Sequence, residues 1–283
     1  MAPSKSNFHV RSNSLPSKSH PLIEECNDHL IRLRGASDAT SSSSIAHKLS
    51  GLEELQLYVE KLLQLPLTQR AFVQGCQEKW VDELVDGSLR LLDICSTAKD
   101  AVLHTKECAR EMQLIMRRKV NLENEIKKYS ASRKVVKKAI QKALGSLKGV
   151  ESKSSFSPSN KESEITTLVS VLREVEAVTF ASFETLLSFI SGQKAHSKLG
   201  GWSLVSKLVQ SKRVGCDEEV VNEFAKVDVA LHCIMSQEKS KTGQAMRELQ
   251  NLEQCVQDFE ERLECLFRRL IKTRVSILNI LND

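Results

Sequence analysis

Residues 249–280 read LQNLEQCVQDFEERLECLFRRLIKTRVSILNI, and their spacing decides the fold class. With Leu249 at position a of a heptad, the a and d positions are Leu249, Leu252, Val256, Phe259, Leu263, Leu266, Leu270, Thr273, Ile277 and Ile280. Nine of these ten are apolar, so a continuous helix has one face that other helices must cover. Phe267, Ile271, Leu278 and Leu281 widen the stripe toward its end. A stripe wider than a coiled-coil seam favours burial within one bundle over a two-stranded coil between copies. Oligomeric state stays open.

The same periodicity extends upstream. Val220, Phe224, Val227, Leu231 and Ile234 line a helix for which Asp217 is the expected cap. Gly200-Gly201-Trp202 reads as a joint before a short amphipathic piece with Leu204, Val205, Leu208 and Val209. Ser159 and Glu162 have capping-box spacing and open a helix to about Ile190. That helix is apolar on most sides, which predicts a place at the centre of the bundle. From Ser88 to Leu144 there are fifty-seven residues without Gly or Pro. A single helix of that length would reach about 85 Å, so a hairpin is expected, turning near Met116–Lys119 or near Ser130–Ser132. Ile45, Leu49, Leu52, Leu55, Val59 and Leu62 mark a further helix ended by Pro66, with a new start near Thr68. The four serines before Ile45 can cap it. Pro21 to about Arg34 is a short helix with Leu22, Cys26, Leu30 and Leu33 on one face.

Composition agrees. Gly and Pro together are 16 of 283 residues, about half the usual share and too few turn-formers for a sandwich, barrel or propeller. The expected organisation is a disordered Ser-rich tail over 1–20, a short helix and polar linker over 21–40, and a helical bundle over 41–283 with a Ser-rich linker at 151–160. The fold class is all-α: a multi-helix bundle with long antiparallel helices and a disordered N-terminal tail. No run of 18 apolar residues exists to span a bilayer, and the start has no apolar signal core. A cytoplasmic or nuclear protein is expected, and not a secreted one.

Charge is unevenly spread. Between Arg117 and Lys148, eleven Lys or Arg face only Glu123 and Glu125, a local net of +9. Between Asp217 and Glu264, twelve acids face five bases, a local net of −7. The simplest expectation is that the two stretches pack together. The eight cysteines show no Cys-x-x-Cys, and Cys95, Cys108, Cys233 and Cys265 sit in apolar-periodic stretches, where Cys acts as a small hydrophobe. A reducing compartment follows as the expectation.

Catalytic signatures are lacking: there is no Gly-x-Ser-x-Gly, Walker A, dinucleotide fingerprint or His-Glu-x-x-His, so a non-enzymatic protein without a cofactor is expected. His104 with Cys108, and Cys26 with His29, each supply only half of a four-ligand zinc site, and packing is the simpler role. The segment 133–148 is basic and amphipathic, with Val136, Ile140, Ala143 and Leu147 as its apolar stripe. Arg133, Lys134, Lys137, Lys138 and Lys142 are its candidate basic surface, fitting a calmodulin target, an anionic membrane or a nuclear-import patch. A bundle helix with a solvated Lys-rich face is the plainer reading. With aromatics at 5% and none interleaved among these cations, nucleic acid is not an expected partner.

The tail holds Arg11-Ser12-Asn13-Ser14-Leu15-Pro16. Read as R-S-x-S-x-P, it resembles the phosphopeptide docked by 14-3-3 proteins: phosphate on Ser14 would meet a partner's Arg cluster, and Pro16 would turn the chain away. Arg11, Ser12, Ser14 and Pro16 are therefore the candidate docking residues.

The block from Arg11 to Leu22 and the block from Leu263 to Ile280 together resemble a plant-specific family grouped with the BYPASS-related proteins. The resemblance covers nearly the whole chain. It implies a mostly helical plant protein without known catalytic residues, linked at family level to root and shoot development. No active site comes with it. The expectation is an interaction or scaffold protein with a phosphorylation-regulated tail, the alternative being a membrane- or calmodulin-binding factor acting through 133–148.

Overall fold

The computed structural model describes residues 20–35, 41–118, 121–148, 164–192, 222–236 and 241–282. They form α1 (Pro21–Gly35), α2 (Ser42–Leu63), α3 (Pro66–Gln74), α4 (Lys79–Arg118), α5 (Leu122–Lys148), α6 (Glu164–Ser191), α7 (Glu223–Met235) and α8 (Thr242–Asn282), with no strand among the described residues. The expected all-α bundle is what the chain adopts. The motif at 11–16, the linker at 151–160, the Ser159–Glu162 box and the piece at 204–209 lie outside the described residues.

All ten a and d residues of α8 are buried. Their cover comes from the same chain. One flank is α4, antiparallel to α8: Lys99 meets Glu264 at 2.6 Å, Lys106 meets Glu260, and Arg110 meets Glu253 at 2.6 Å. Farther along, Arg274 Nη1 donates to Val85 O at 2.6 Å and to Ser88 Oγ at 2.8 Å. The other flank is α2, whose Glu60 is 5% exposed and takes Arg269 at 3.3 Å and Lys272 at 2.6 Å. The one polar seam residue, Thr273, donates to Gln56 Oε1 at 3.4 Å, which satisfies a hydroxyl that burial would otherwise penalise.

Local signals set the helix ends. Ser41 and Ser44 cap α2 reciprocally, each backbone N–H donating to the other's hydroxyl at 3.2 Å. Pro66 occupies the first turn of α3, where its missing N–H costs nothing. The hairpin turns between Arg118 and Leu122, at the first of the two expected places; Ser130–Ser132 lies inside α5. Asn121 takes φ 49 there, the left-handed region that Asn tolerates better than most residues.

Several expectations are corrected. The helix at 223–235 is capped by Asn222, not Asp217: Asn222 Oδ1 accepts from Ala225 N at 2.9 Å. The widening residue Ile271 is exposed, as is Cys265, because the helices that cover the seam do not reach them on α8. α8 is the spine on which α2, α3, α4 and α7 assemble, beside a central α6 as expected. α6 closes the other side against α1 to α5 and α7, and Phe189 meets Phe259 of α8 edge-on at 6.0 Å. The acidic stretch divides its pairing: Glu253, Glu260 and Glu264 of α8 meet Arg110, Lys106 and Lys99 of α4, while Asp228 of α7 meets Arg133 and Lys137 of the basic stretch, so the expected packing of the two stretches holds at Asp228 only. Burial pushes the Cys26 and Cys95 thiols up to about 12, which keeps them protonated.

Candidate functional site

α5 lies along α4 as the second arm of the hairpin. Ile126, Tyr129, Arg133, Val136 and Ile140, spaced by three and four, form its buried stripe. Ala143 is half-buried, so Val136, Ile140 and Ala143 face inward as expected, with Arg133 added to them; the side chain of Leu147 lies outside the described residues.

Arg133 is 3% exposed and belongs to the core, not to the basic surface. Its Nε reaches Asp228 Oδ1 of α7 at 3.3 Å, and its Nη2 donates to Ile190 O of α6 at 2.9 Å. The guanidinium also lies over the Phe224 ring, 5.3 Å from its centroid. Lys137 shares the same carboxylate, meeting Asp228 Oδ2 at 3.0 Å. Two of the five candidate cations are thus structural, tying α5 to α6 and α7. Beside them, the Tyr129 hydroxyl and Arg133 Nη1 are buried and have no hydrogen-bond partner among the described residues. Burial pushes the Tyr129 phenol up, with the Arg133 charge pulling the other way.

The remaining three, Lys134, Lys138 and Lys142, are exposed and form no ion pair with any described residue. Their four-residue spacing puts them in one row about 12 Å long. Val135 stands next to Lys134, 64% exposed.

Beside the row, α4 and α5 leave a groove of about 720 Å³ between Arg90 and His104 on one arm and Val135 and Ser146 on the other. Ala101, Ala139 and Ala143 are too small to fill it, and Ile94, Val135 and Val136 complete its apolar lining. Arg90, Asp93, Asp100 and Lys142 supply charge along it.

At the end of the groove, His104 Nε2 and Ser132 Oγ are hydrogen-bonded. Cys108 Sγ lies 3.1 Å from Ser132 Oγ and 3.8 Å from His104 Nε2. The i, i+4 spacing of His104 and Cys108 was legible; Ser132, twenty-four residues on and a candidate turn residue by its neighbours, was not. Cys26 is fully buried near Glu174 of α6, and His29 lies against the Tyr58 ring of α2 at 4.8 Å. Among the described residues no group of three or more His, Cys, Asp or Glu side chains is placed to hold a metal ion. Nor is any helix there long and apolar enough to cross a membrane.

A family model described as "Protein BPS1" matches residues 48–280. The match includes the α8 block that carries the resemblance and leaves the tail block outside. No curated protein matches the chain. No solved structure matches it either.

Proposed function

The chain belongs to the BPS1 family, and from that premise we propose a non-enzymatic helical interaction protein that docks on anionic membrane surfaces through the lysine row of α5. The observation that carries this reading is the unpaired exposure of Lys134, Lys138 and Lys142 beside an exposed Val135. Each lysine held near an anionic leaflet contributes about 1 kcal/mol, so three give weak, salt-sensitive attachment. Val135 adds a small apolar contact. Calmodulin is the weaker partner: it grips the apolar face of a helix, and here Val136 and Ile140 are buried in the bundle. The cysteine spacing, with no Cys-x-x-Cys, favours a reducing cytoplasmic or nuclear setting. A role in plant root and shoot development rests on the family resemblance alone.

Co-sedimentation of the full chain with phosphatidylserine-containing and pure phosphatidylcholine vesicles tests the docking. Binding to the first only, lost at high salt and lost in Lys134→Gln/Lys138→Gln/Lys142→Gln, is the expected result. No sedimentation at low salt overturns it, as does calcium-dependent calmodulin binding without any vesicle binding.

A second reading rests on the Arg11-Ser12-Asn13-Ser14-Leu15-Pro16 motif. Phosphorylation of Ser14 would create a docking site for a 14-3-3 protein and make the bundle a regulated scaffold.

A further inference from the structure

We propose that Cys108 is an S-acylation site whose long-chain acyl group lies in the groove between α4 and α5. The inference does not rest on the lysine row, because it needs only the thiol cluster and the cavity beside it.

The cluster makes this thiol unlike the others. Ser132 Oγ bridges Cys108 Sγ and His104 Nε2, so a proton can pass from thiol to hydroxyl as the hydroxyl proton passes to an imidazole in its Nδ1–H tautomer. The thiolate is the reactive form of cysteine, and a base in hydrogen-bonded reach is the usual means of raising its share. Cys26 and Cys95 are buried and held protonated. Cys76 and Cys265 are exposed but make no hydrogen bond to any described residue.

The cavity selects the electrophile. From Arg90 to His104, α4 runs about 21 Å, so the groove is a long channel that begins at the residue touching the thiol cluster. Its apolar lining of Ile94, Ala101, Val135, Val136, Ala139 and Ala143 offers an alkyl chain an escape from water.

In the step, the Cys108 thiolate attacks the carbonyl carbon of the acyl thioester. The new C–S bond forms as the bond to coenzyme A breaks, and the departing thiolate recovers the proton from His104 through Ser132. One thioester is exchanged for another, with no change of oxidation state.

The full-length protein is incubated with palmitoyl-coenzyme A below its micellar concentration, or with acetyl-coenzyme A, and acylation is followed by intact mass, peptide mapping and hydroxylamine release. The expected result is hydroxylamine-sensitive palmitoylation at Cys108 at least tenfold faster than at Cys76 or Cys265. That advantage should be larger for palmitoyl than for acetyl transfer. His104→Gln should slow both donors at Cys108. Ala139→Phe, which puts a larger side chain into the groove lining, should remove the chain-length preference by slowing palmitoyl transfer. Equal rates at the three cysteines overturn the proposal, and so does a chain-length preference unchanged by Ala139→Phe.

Discussion

A methyl group on Gly87 of α4 would lie 2.0 Å from Oε1 of Glu176 on α6, so a glycine and a carboxylate share one space where these helices cross. Glu176 is held there by Arg90, whose Nη2 reaches its Oε1 at 3.4 Å. Gly87→Ala gains about 1 kcal/mol of helix propensity. It must also drive the carboxylate off its partner, an overpacking cost of about 1–3 kcal/mol. The expected net effect is a loss of about 1 kcal/mol in denaturant unfolding. In a Glu176→Ala background the clash is gone, so the same substitution should stabilise. A loss of equal size in both backgrounds would show that the two residues do not interact.

Burial raises the Glu176 carboxyl above its ordinary value, with Arg90 and Arg173 pulling it back only in part. Since the folded value lies above the unfolded one, the protonated form favours folding. That contribution is complete below the unfolded value near about 4.3 and is lost as pH rises through the folded value. Glu176→Gln mimics the protonated group. Its stability relative to the parent chain should therefore improve from pH 4 to pH 7, as read by urea unfolding at each pH. A relative stability that falls over that interval would refute the assignment.

Arg133 and Lys134 are adjacent in sequence and opposite in role. Arg133→Met removes the contacts to Asp228 and Ile190 O and should cost about 2–3 kcal/mol, somewhat less than a full buried pair because Lys137 still faces Asp228. Lys134→Ala should stay within about 0.5 kcal/mol. Equal losses from the two, measured by chemical denaturation, would place Arg133 on the surface.

In the tail, a peptide spanning residues 8–20 with phosphorylated Ser14 should be retained on a 14-3-3 column, and its unphosphorylated form should not. In the full chain, Ser14→Ala should abolish retention after kinase treatment. Equal retention of the two peptides would remove the docking reading.

The α8 seam was legible because every heptad repeats one demand, that an apolar stripe be covered; all ten of its positions are buried. What the stripe could not disclose was its limits. Ile271 continues the pattern by eye yet faces solvent, because the helices that cover the seam do not reach its side of α8. The hairpin turn was ambiguous because no Gly or Pro marks it, the left-handed position at Asn121 being filled by an asparagine. Arg133 sits in a lysine-rich run whose composition reads as solvated; its burial depends on Asp228, ninety-five residues away on another helix. The thiol cluster was half visible for the same reason, since same-helix spacing reveals His104 and Cys108 while only tertiary packing brings Ser132 to them.

The C-terminal end of α6 is held from two sides: Arg133 donates to Ile190 O at 2.9 Å, and Asn222 Nδ2 donates to Phe189 O at 2.8 Å. Asn222 is also the residue that starts α7. The chain therefore departs after Gly192 and returns at Asn222 through one clasp. One side chain thus sets the end of α6 and the start of α7 together, so Asn222→Ala should loosen both helix ends at once.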